Sequence, residues 1–432
     1  MSQSISQDTG FFASIRDAIR GDSQRDFTNE RIGRAITLLA IPMVLEMMME
    51  SLFAVVDMFW VAHLGSDALA TVGLTESVLT LLFAIAMGLS VATTAMVARR
   101  IGEKDPTSAA EAATQSILLG LIIAAVIGIT GGLFASQLLR AMGASEAIIA
   151  SGTGYARAIY GGSATIMLLF LINAVFRGAG DAALAMRALW IANAINIVLN
   201  PLLIFGLGPF PRLGVTGSGI GTTIGRGTGV LIQLWMLSRG KSRVVVRARQ
   251  FRLQPELMMR LVRLSLGGIF QYFVAVASWI GLVRMAAMFG SVAVAGYTLA
   301  IRLIVFAILP SWGMANAAAT LVGQNLGAQK PDRAEQSVWR AGFYNMVFLG
   351  IVAATFIAFA VPLVSIFTQD PGVGPVAVSA LRFISYGYVF YAWGMVIVQA
   401  FNGAGDTVTP TIINLCCYWA WQIPLAWFLA FR

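Results

Sequence analysis

The chain has 432 residues, of which 58% are hydrophobic and only 11% charged, with a mean hydropathy of +0.79. Soluble domains carry about 25% charged residues, so a soluble globular fold is excluded and an all-α integral membrane protein is implied. The net charge of +9 is better explained by basic loops retained in the cytoplasm than by a nucleic-acid partner. Cys416 and Cys417, the only cysteines, are adjacent in an apolar run and suggest neither a disulfide framework nor a metal site.

Residues 1–34 form a cytoplasmic N-terminal tail with no apolar core before a small-residue cleavage site, so no signal peptide is expected. Within it Phe11, Phe12, Ile15 and Ile19 share a helical face beside Arg16 and Arg20. A short interfacial helix and a disordered tail are both compatible with that pattern. Eleven apolar spans follow, near 35–63, 68–98, 111–139, 152–176, 182–208, 214–238, 258–288, 293–323, 336–368, 375–402 and 408–431. Each is long enough to cross about 30 Å of hydrocarbon, and continuous runs of this length form helices. Arg16, Arg20, Arg25, Arg31 and Arg34 precede the first span, and Arg99, Arg100 and Lys104 follow the second. Eight more basic residues, from Arg239 to Arg263, crowd the segment after the sixth. The opposite connections hold almost none apart from Arg140 and Arg212. The N-terminus and the central loop are therefore expected in the cytoplasm of a cell (inner or plasma) membrane protein. The expected organisation is an N-terminal bundle of six spans over 35–240, a basic cytoplasmic linker over 241–257, and a C-terminal bundle of five over 258–432.

The chain repeats itself at an offset of 225 residues. Leu64-Gly65-Ser66 falls on Phe289-Gly290-Ser291, Gly88 on Gly313, and VARRIGEKDP (97–106) on VGQNLGAQKP (322–331). Arg157 falls on Arg382 and RGAGD (177–181) on NGAGD (402–406). Two halves of this kind, with an even number of spans in the first, run parallel about an axis along the membrane normal. The sixth span of the first half has no counterpart before Arg432, so the chain is expected to be one helix short of two pseudo-symmetric six-helix bundles, with truncation the favoured explanation.

The first span carries EMMMESLFAVVD (46–57). At roughly 100° per residue Glu50 lies about 40° from Glu46 and Asp57 about 20°. The three acids form one stripe, about 16 Å long at about 1.5 Å per residue. A charge at membrane depth costs roughly 2.5–3.5 kcal/mol on insertion scales, so the stripe must face the bundle interior or water. Glu76 adds a fourth acid in the second span. At the repeat offset Glu46, Glu50, Asp57 and Glu76 meet Gln271, Ala275, Leu282 and Ile301. Glycines and turns recur in both halves while these acids do not, which marks them as candidates for function rather than fold maintenance.

VDMFWVAHLG (56–65), VARRIGEKD (97–105), FRGAGD (176–181) and NIVLNPLLIFG (196–206), in this order within a two-fold repeat, resemble the multidrug and toxic compound extrusion (MATE) family over about residues 30–432. The resemblance implies twelve helices in two V-shaped bundles around a central cavity. It implies secondary active efflux of organic, often cationic, drugs by antiport with protons or sodium ions, with no other cofactor. Asp57 matches the family's coupling aspartate and Pro42 a proline where the first helix bends. Asn196, Asn200 and Thr222 match polar positions in the fifth and sixth spans. Together Asp57, Asn196, Asn200 and Thr222 offer oxygen and amide ligands suited to sodium, or a proton on Asp57. Some relatives carry aspartate where Asn200 stands. The C-terminal bundle offers no acid at the corresponding spans, only Gln271, Tyr388, Tyr391 and Gln399, which places the chain nearer the DinF-like branch than the NorM-like one. Glu50, Glu46, Glu76, Gln271 and Tyr391 are candidates to line the cavity and meet substrate; Glu46 and Glu76 also suit buried, hydrogen-bonded roles. Asp181 and Asp406 are expected to cap helices. The expected partners are small-molecule drugs and the lipid bilayer, with no nucleic acid and a monomeric state. A lipid-linked oligosaccharide or lipid flippase on a related fold is the alternative. A single histidine, no HExxH and no GxxxxGK[ST] argue against an enzyme or an ATP-driven pump.

Overall fold

Backbone groups in hydrocarbon must find partners within their own segment, and the computed structural model answers with helices alone among the residues it describes, 11–21 and 25–431. The first half comprises α1 (Phe11–Arg20), α2 (Ile32–Ala62), α3 (Ser66–Gly102), α4 (Pro106–Leu133), α5 (Ala135–Ala141), α6 (Glu146–Gly161), α7 (Ser163–Ala179), α8 (Ala182–Phe205) and α9 (Val215–Ser238). The second comprises α10 (Pro255–Ala287), α11 (Ser291–Gly327), α12 (Pro331–Ala358), α13 (Ala360–Ser365), α14 (Val373–Tyr386), α15 (Tyr388–Ala404), α16 (Val408–Leu415) and α17 (Ile423–Phe431). Several pairs, such as Ser66–Gly102 with Ser291–Gly327 and Ser163–Ala179 with Tyr388–Ala404, keep the 225-residue offset at both ends.

The punctuation repeats with the helices. Gly65 and Gly290 precede α3 and α11 at φ of 98° and 96°, and Gly180 and Gly405 end α7 and α15 in the left-handed region at 86° and 87°. Only glycine adopts these angles without steric cost. Lys104 and Gln329 share the same unusual backbone, at φ of 59° and 57°.

Among the described residues nine helical segments are long and apolar enough to cross a membrane, or ten if the bent pair α14–α15 counts as one span. Eleven were expected. The expected sixth span is α9, 24 residues long, whose run of glycines and threonines around Arg226 keeps it below the apolarity of a lone membrane crossing. The expected tenth span is bent by 56° at Gly387, and its first-half counterpart breaks at the equivalent Gly162. The last span is interrupted by a π-helical stretch, Cys416–Gln422, just before Pro424. That proline lacks the N–H a regular turn needs, and a widened turn accommodates the loss.

The N-terminal segment also differs from expectation. α1 docks on α2 and α8: Ala18 is buried, Asp17 pairs with Arg34 at 3.5 Å, and Arg187 donates to the carbonyls of Ile19 and Arg20. The side chains of Phe11 and Phe12 lie outside the described residues. The linker is likewise fastened to the first bundle. Gln115 donates to the Arg252 carbonyl at 2.7 Å and accepts from the Gln254 amide at 3.1 Å.

The bundles meet through matched close approaches. A Cβ at Gly88 would lie 2.6 Å from the Ser265 carbonyl of α10, and one at Gly313 would lie 2.7 Å from the Met43 backbone of α2. At the end carrying the basic loops, Thr320 donates to the Arg177 carbonyl at 3.1 Å and Gln324 to that of Gly178 at 2.9 Å. Lys330 donates to the Thr28 carbonyl at 3.1 Å. A mixed apolar core of Leu38, Leu39, Met43, Ala315, Ala318 and Leu321 lies beside these bonds. The molecule is therefore closed at this end.

Gly102 abuts the Gln324 carbonyl too closely for any side chain, whereas Gly132 faces open space. Gly102→Ala is expected to destabilise the fold by about 1–3 kcal/mol through overpacking, and Gly132→Ala to be neutral or stabilising by up to about 1 kcal/mol. Thermal unfolding in detergent distinguishes them.

Candidate functional site

The acidic stripe of α2 faces the interior of the first bundle, where each carboxylate is handled differently. Asp57, near the far end of α2, accepts from Asn200 Nδ2 at 2.5 Å and from Ser218 Oγ at 3.0 Å. Asn200 Nδ2 also donates to Asn196 Oδ1 at 3.2 Å, and Asn196 Nδ2 to Thr222 Oγ1 at 3.0 Å. Asn196, Asn200, Ser218 and Thr222 are all buried. The i, i+4 spacing of the two asparagines puts both amides on one face of α8. Gly221 lets α9 approach that face, because any Cβ there would collide with Asn200 Oδ1. That oxygen has no hydrogen-bond partner among the described residues. The four sequence candidates Asp57, Asn196, Asn200 and Thr222 thus stand in one connected chain, and Ser218 joins them. Ser218 lies in the GSGIGTT run, but its contact with Asp57 depends on how α9 packs.

About two turns back along α2, Glu50 pairs with Arg226 of α9 at 3.8 Å, and the guanidinium lies over the Phe53 ring at 5.3 Å from its centroid. Arg226 also acts electrostatically on Asp57 and on the exposed Glu76. Sequence reasoning missed Arg226. The available signal was a lone arginine inside a span, one helical turn after Thr222.

Glu46 departs from the cavity-lining expectation. It is 1% exposed, and its Oε1 accepts from Arg177 Nη1 at 2.9 Å and from Asn173 Nδ2 at 3.0 Å. Gln233 of α9 donates to Asn173 Oδ1 at 2.5 Å. The reason is the neighbour: α7 places Arg177, from the repeated glycine motif, directly against this turn of α2. Gln271 is also corrected. It is buried and exchanges hydrogen bonds with Asn402, at 3.0 and 3.2 Å, besides donating to the Thr407 carbonyl at 3.1 Å. A glutamine whose amide is consumed on both sides contributes to packing rather than to a cavity wall. Tyr391 is exposed, and Tyr388 is buried against Phe356. Pro42 is buried within a continuous α2, where it leaves the Leu38 carbonyl without its usual donor.

The two expected caps diverge. Asp406 accepts from the amides of Val408 and Thr409 at 3.1 and 3.0 Å and so caps α16. Asp181 makes no cap to α8; it accepts from Ser242 Oγ at 2.6 Å and the Arg243 amide at 2.9 Å, fastening the linker. Among the described residues no three His, Cys, Asp or Glu side chains converge as a metal site, so any cation held here would rely on amide and hydroxyl oxygens beside Asp57.

Paired helix bundles of membrane-spanning length, with buried charged side chains in only one of them among the described residues, mark a polytopic membrane protein and fit the transporter class. The MatE family profile matches residues 42–202 and again 269–428, one match in each half. The chain belongs to this family of multi-pass membrane transporters. It is 24% identical to the probable multidrug resistance protein YoeA of Bacillus subtilis, over 92% of this chain and 87% of that protein. It is 27% identical to an FAD transporter of Shewanella oneidensis, over 91% and 87%. Among solved structures it resembles a multidrug resistance MATE family transporter in an outward-facing conformation (29% identity, TM-score 0.86, 94% of this chain and 90% of the other). A MOP superfamily transporter from Pyrococcus furiosus is similarly close (29%, TM-score 0.85, 96% and 90%).

Removing one partner of a buried ion pair strands the other charge, whereas loosely paired, part-exposed groups contribute little. Glu46→Ala is expected to cost about 3–5 kcal/mol and Glu50→Ala no more than about 1 kcal/mol, read as the difference between their melting temperatures in detergent.

Proposed function

We infer that this protein is a secondary active multidrug efflux transporter that exports organic, often cationic, compounds by antiport with protons or sodium ions, coupled through Asp57. The observation that carries this reading is the Asp57 cluster. A single carboxylate is held by neutral donors from two other helices, in one half of a repeated fold. Such a group accepts a proton or a cation with little rearrangement of its surroundings. A proton needs only Asp57. A sodium ion would take oxygens from Asp57, Asn196, Asn200 and Thr222, and the unpartnered Asn200 Oδ1 supports that variant. Neutralising Asp57 by either ion removes the demand for its two donors, and Pro42 provides a place where α2 can bend in response. The loaded and unloaded forms then favour different bundle arrangements, and drug competes with the ion for one of them.

The basic residues on the closed end favour a cytoplasmic location for that end by the positive-inside rule, and on that reading the arrangement faces outward in a plasma membrane. Confinement of the acids to the first bundle favours the DinF-like over the NorM-like arrangement. Glu50 and Glu76 beside Asp57 favour cationic over pyrophosphate-bearing cargo and so weigh against a lipid-linked flippase. The names of relatives, a probable multidrug resistance protein and an FAD transporter, are consistent with varied substrates for this fold.

In proteoliposomes with separately imposed proton and sodium gradients, Asp57→Asn is expected to reduce gradient-driven ethidium export roughly tenfold or more, within the span of typical coupling energies. Export by Asp57→Asn at the wild-type rate under both gradients would sink the assignment.

A further inference from the structure

The second half contains a neutral copy of the Glu46 site. At the repeat offset Glu46 becomes Gln271 and Arg177 becomes Asn402. The two pairs make equivalent contacts: Arg177 Nη1 to Glu46 Oε1 at 2.9 Å in one half, and the reciprocal Gln271–Asn402 amide bonds in the other. The second bundle shows that this helix–helix contact can be made without charge. The first bundle nevertheless buries a full ion pair there, with Glu46 1% and Arg177 8% exposed. A pair of this kind contributes little net stability over a neutral substitute. The polar groups around it are also incompletely satisfied. Glu46 Oε2 and Gln233 Oε1, both buried in the network joined by Asn173, have no hydrogen-bond partner among the described residues. Both atoms are acceptors, and a protonated carboxyl gains a donor that an ionised one lacks.

We propose that Glu46, paired with Arg177 and bridged by Asn173 to Gln233, is a second proton site of the first bundle, separate from Asp57 and linked to opening of the cytoplasmic end. A proton arriving from solvent binds Glu46 Oε2, turns it from acceptor to donor, and changes the cluster from neutral to a net charge of +1. The charges acting on Glu46 are Arg177 from α7 and Glu50 on its own helix. α9 presents the neutral Gln233 here, and its Arg226 is engaged by Glu50 one turn on. α11 meets this stretch of α2 through Gly313 against Met43. Glu50, with a side chain 32% exposed, is the neighbouring carboxylate through which a proton reaches the buried one.

Protonation leaves Arg177 without a counter-charge, and an unpaired guanidinium in the interior is strongly unfavourable. Relief is available only where the bundle contact loosens. The carbonyls of Arg177 and Gly178 are the ones that Thr320 and Gln324 of the second bundle clasp at the closed end. Parting those bonds frees the end of α7 and lets Arg177 reach water. A proton on Glu46 thus favours opening on the cytoplasmic side, the direction that proton-driven antiport requires. The proposal deepens the antiport reading and rests on it for this direction.

The test needs no transport substrate. Infrared difference spectra across a pH titration report protonated carboxyl groups in purified protein. The expected result is a titrating carboxyl signal that persists in D57N and is lost from it in the D57N/E46Q/R177N triple variant. Because E46Q alone strands Arg177, the fold is controlled with E46Q/R177N, which copies the Gln271–Asn402 pair and should melt within a few degrees of wild type. Spin labels at positions 104 and 329, with Cys416 and Cys417 replaced by serine, then read the separation of the cytoplasmic ends. Acidification should widen the distance distribution in wild type and D57N but not in E46Q/R177N. An unchanged carboxyl signal in D57N/E46Q/R177N, or a wild-type pH response in folded E46Q/R177N, overturns the proposal. Neither readout depends on whether D57N exports ethidium, so the two readings fail separately.

Discussion

Three carboxylates within one turn-spaced stripe of a membrane helix impose a desolvation cost that the rest of the first bundle must offset. α7, α8 and α9 each supply part of the compensation. Asp57 receives two neutral donors, one from an asparagine of α8 and one from a serine of α9. Glu50 receives a loosely held arginine that also rests on a phenylalanine ring. Glu46 receives an arginine and an amide in the deepest position. The gradation matters for function. A carboxylate held by neutral groups can change its charge state with little disturbance, and one tied to an arginine can do so only by releasing its partner.

The repeat separates what maintains the fold from what drives it. Left-handed glycines, helix bounds and the glycine contacts between bundles recur at the same offset, because the same helix crossings must be made twice. The acids Glu46, Glu50, Asp57 and Glu76 and the arginine Arg177 do not recur as charges. Where the first bundle uses Glu46 and Arg177, the second uses Gln271 and Asn402 and extends the amide network through Gln399 to Asn316. At this helix crossing one bundle thus uses charged partners and the other neutral amides. The contacts between them at Thr320 and Gln324 fall beside the backbone of Arg177, so the charged interior of one bundle and the closure of the whole molecule share a structural element.

Much of the architecture was legible in the sequence because it depends on local rules. Apolar run length marks helices, glycine and proline mark their ends, and a constant offset marks the repeat. The stripe from Glu46 to Asp57 and the asparagine face of α8 follow from helical periodicity, which places residues on a side of a helix but does not say what stands opposite. Arg226 and Ser218 were missed for that reason, and Asp181 was misassigned. Its position after a glycine suits a cap, but its side chain turns to the linker 61 residues further on. The break at Gly162 escaped notice because apolarity continues across it.

The sequence by itself determined the all-helical membrane fold, the two-fold repeat, and the placing of Glu46, Glu50 and Asp57 on one face of one helix, with Glu76 on the next, in one half only. These follow from hydrophobicity and the helical period, properties of a chain read one segment at a time. Only the tertiary structure decided which acid each partner serves: that Asn200 and Ser218 meet Asp57, that Arg226 meets Glu50, and that Glu46 is buried against Arg177. Those pairings join residues far apart in the chain, and they are set by how helices pack against one another, where a rotation of one residue would exchange every partner.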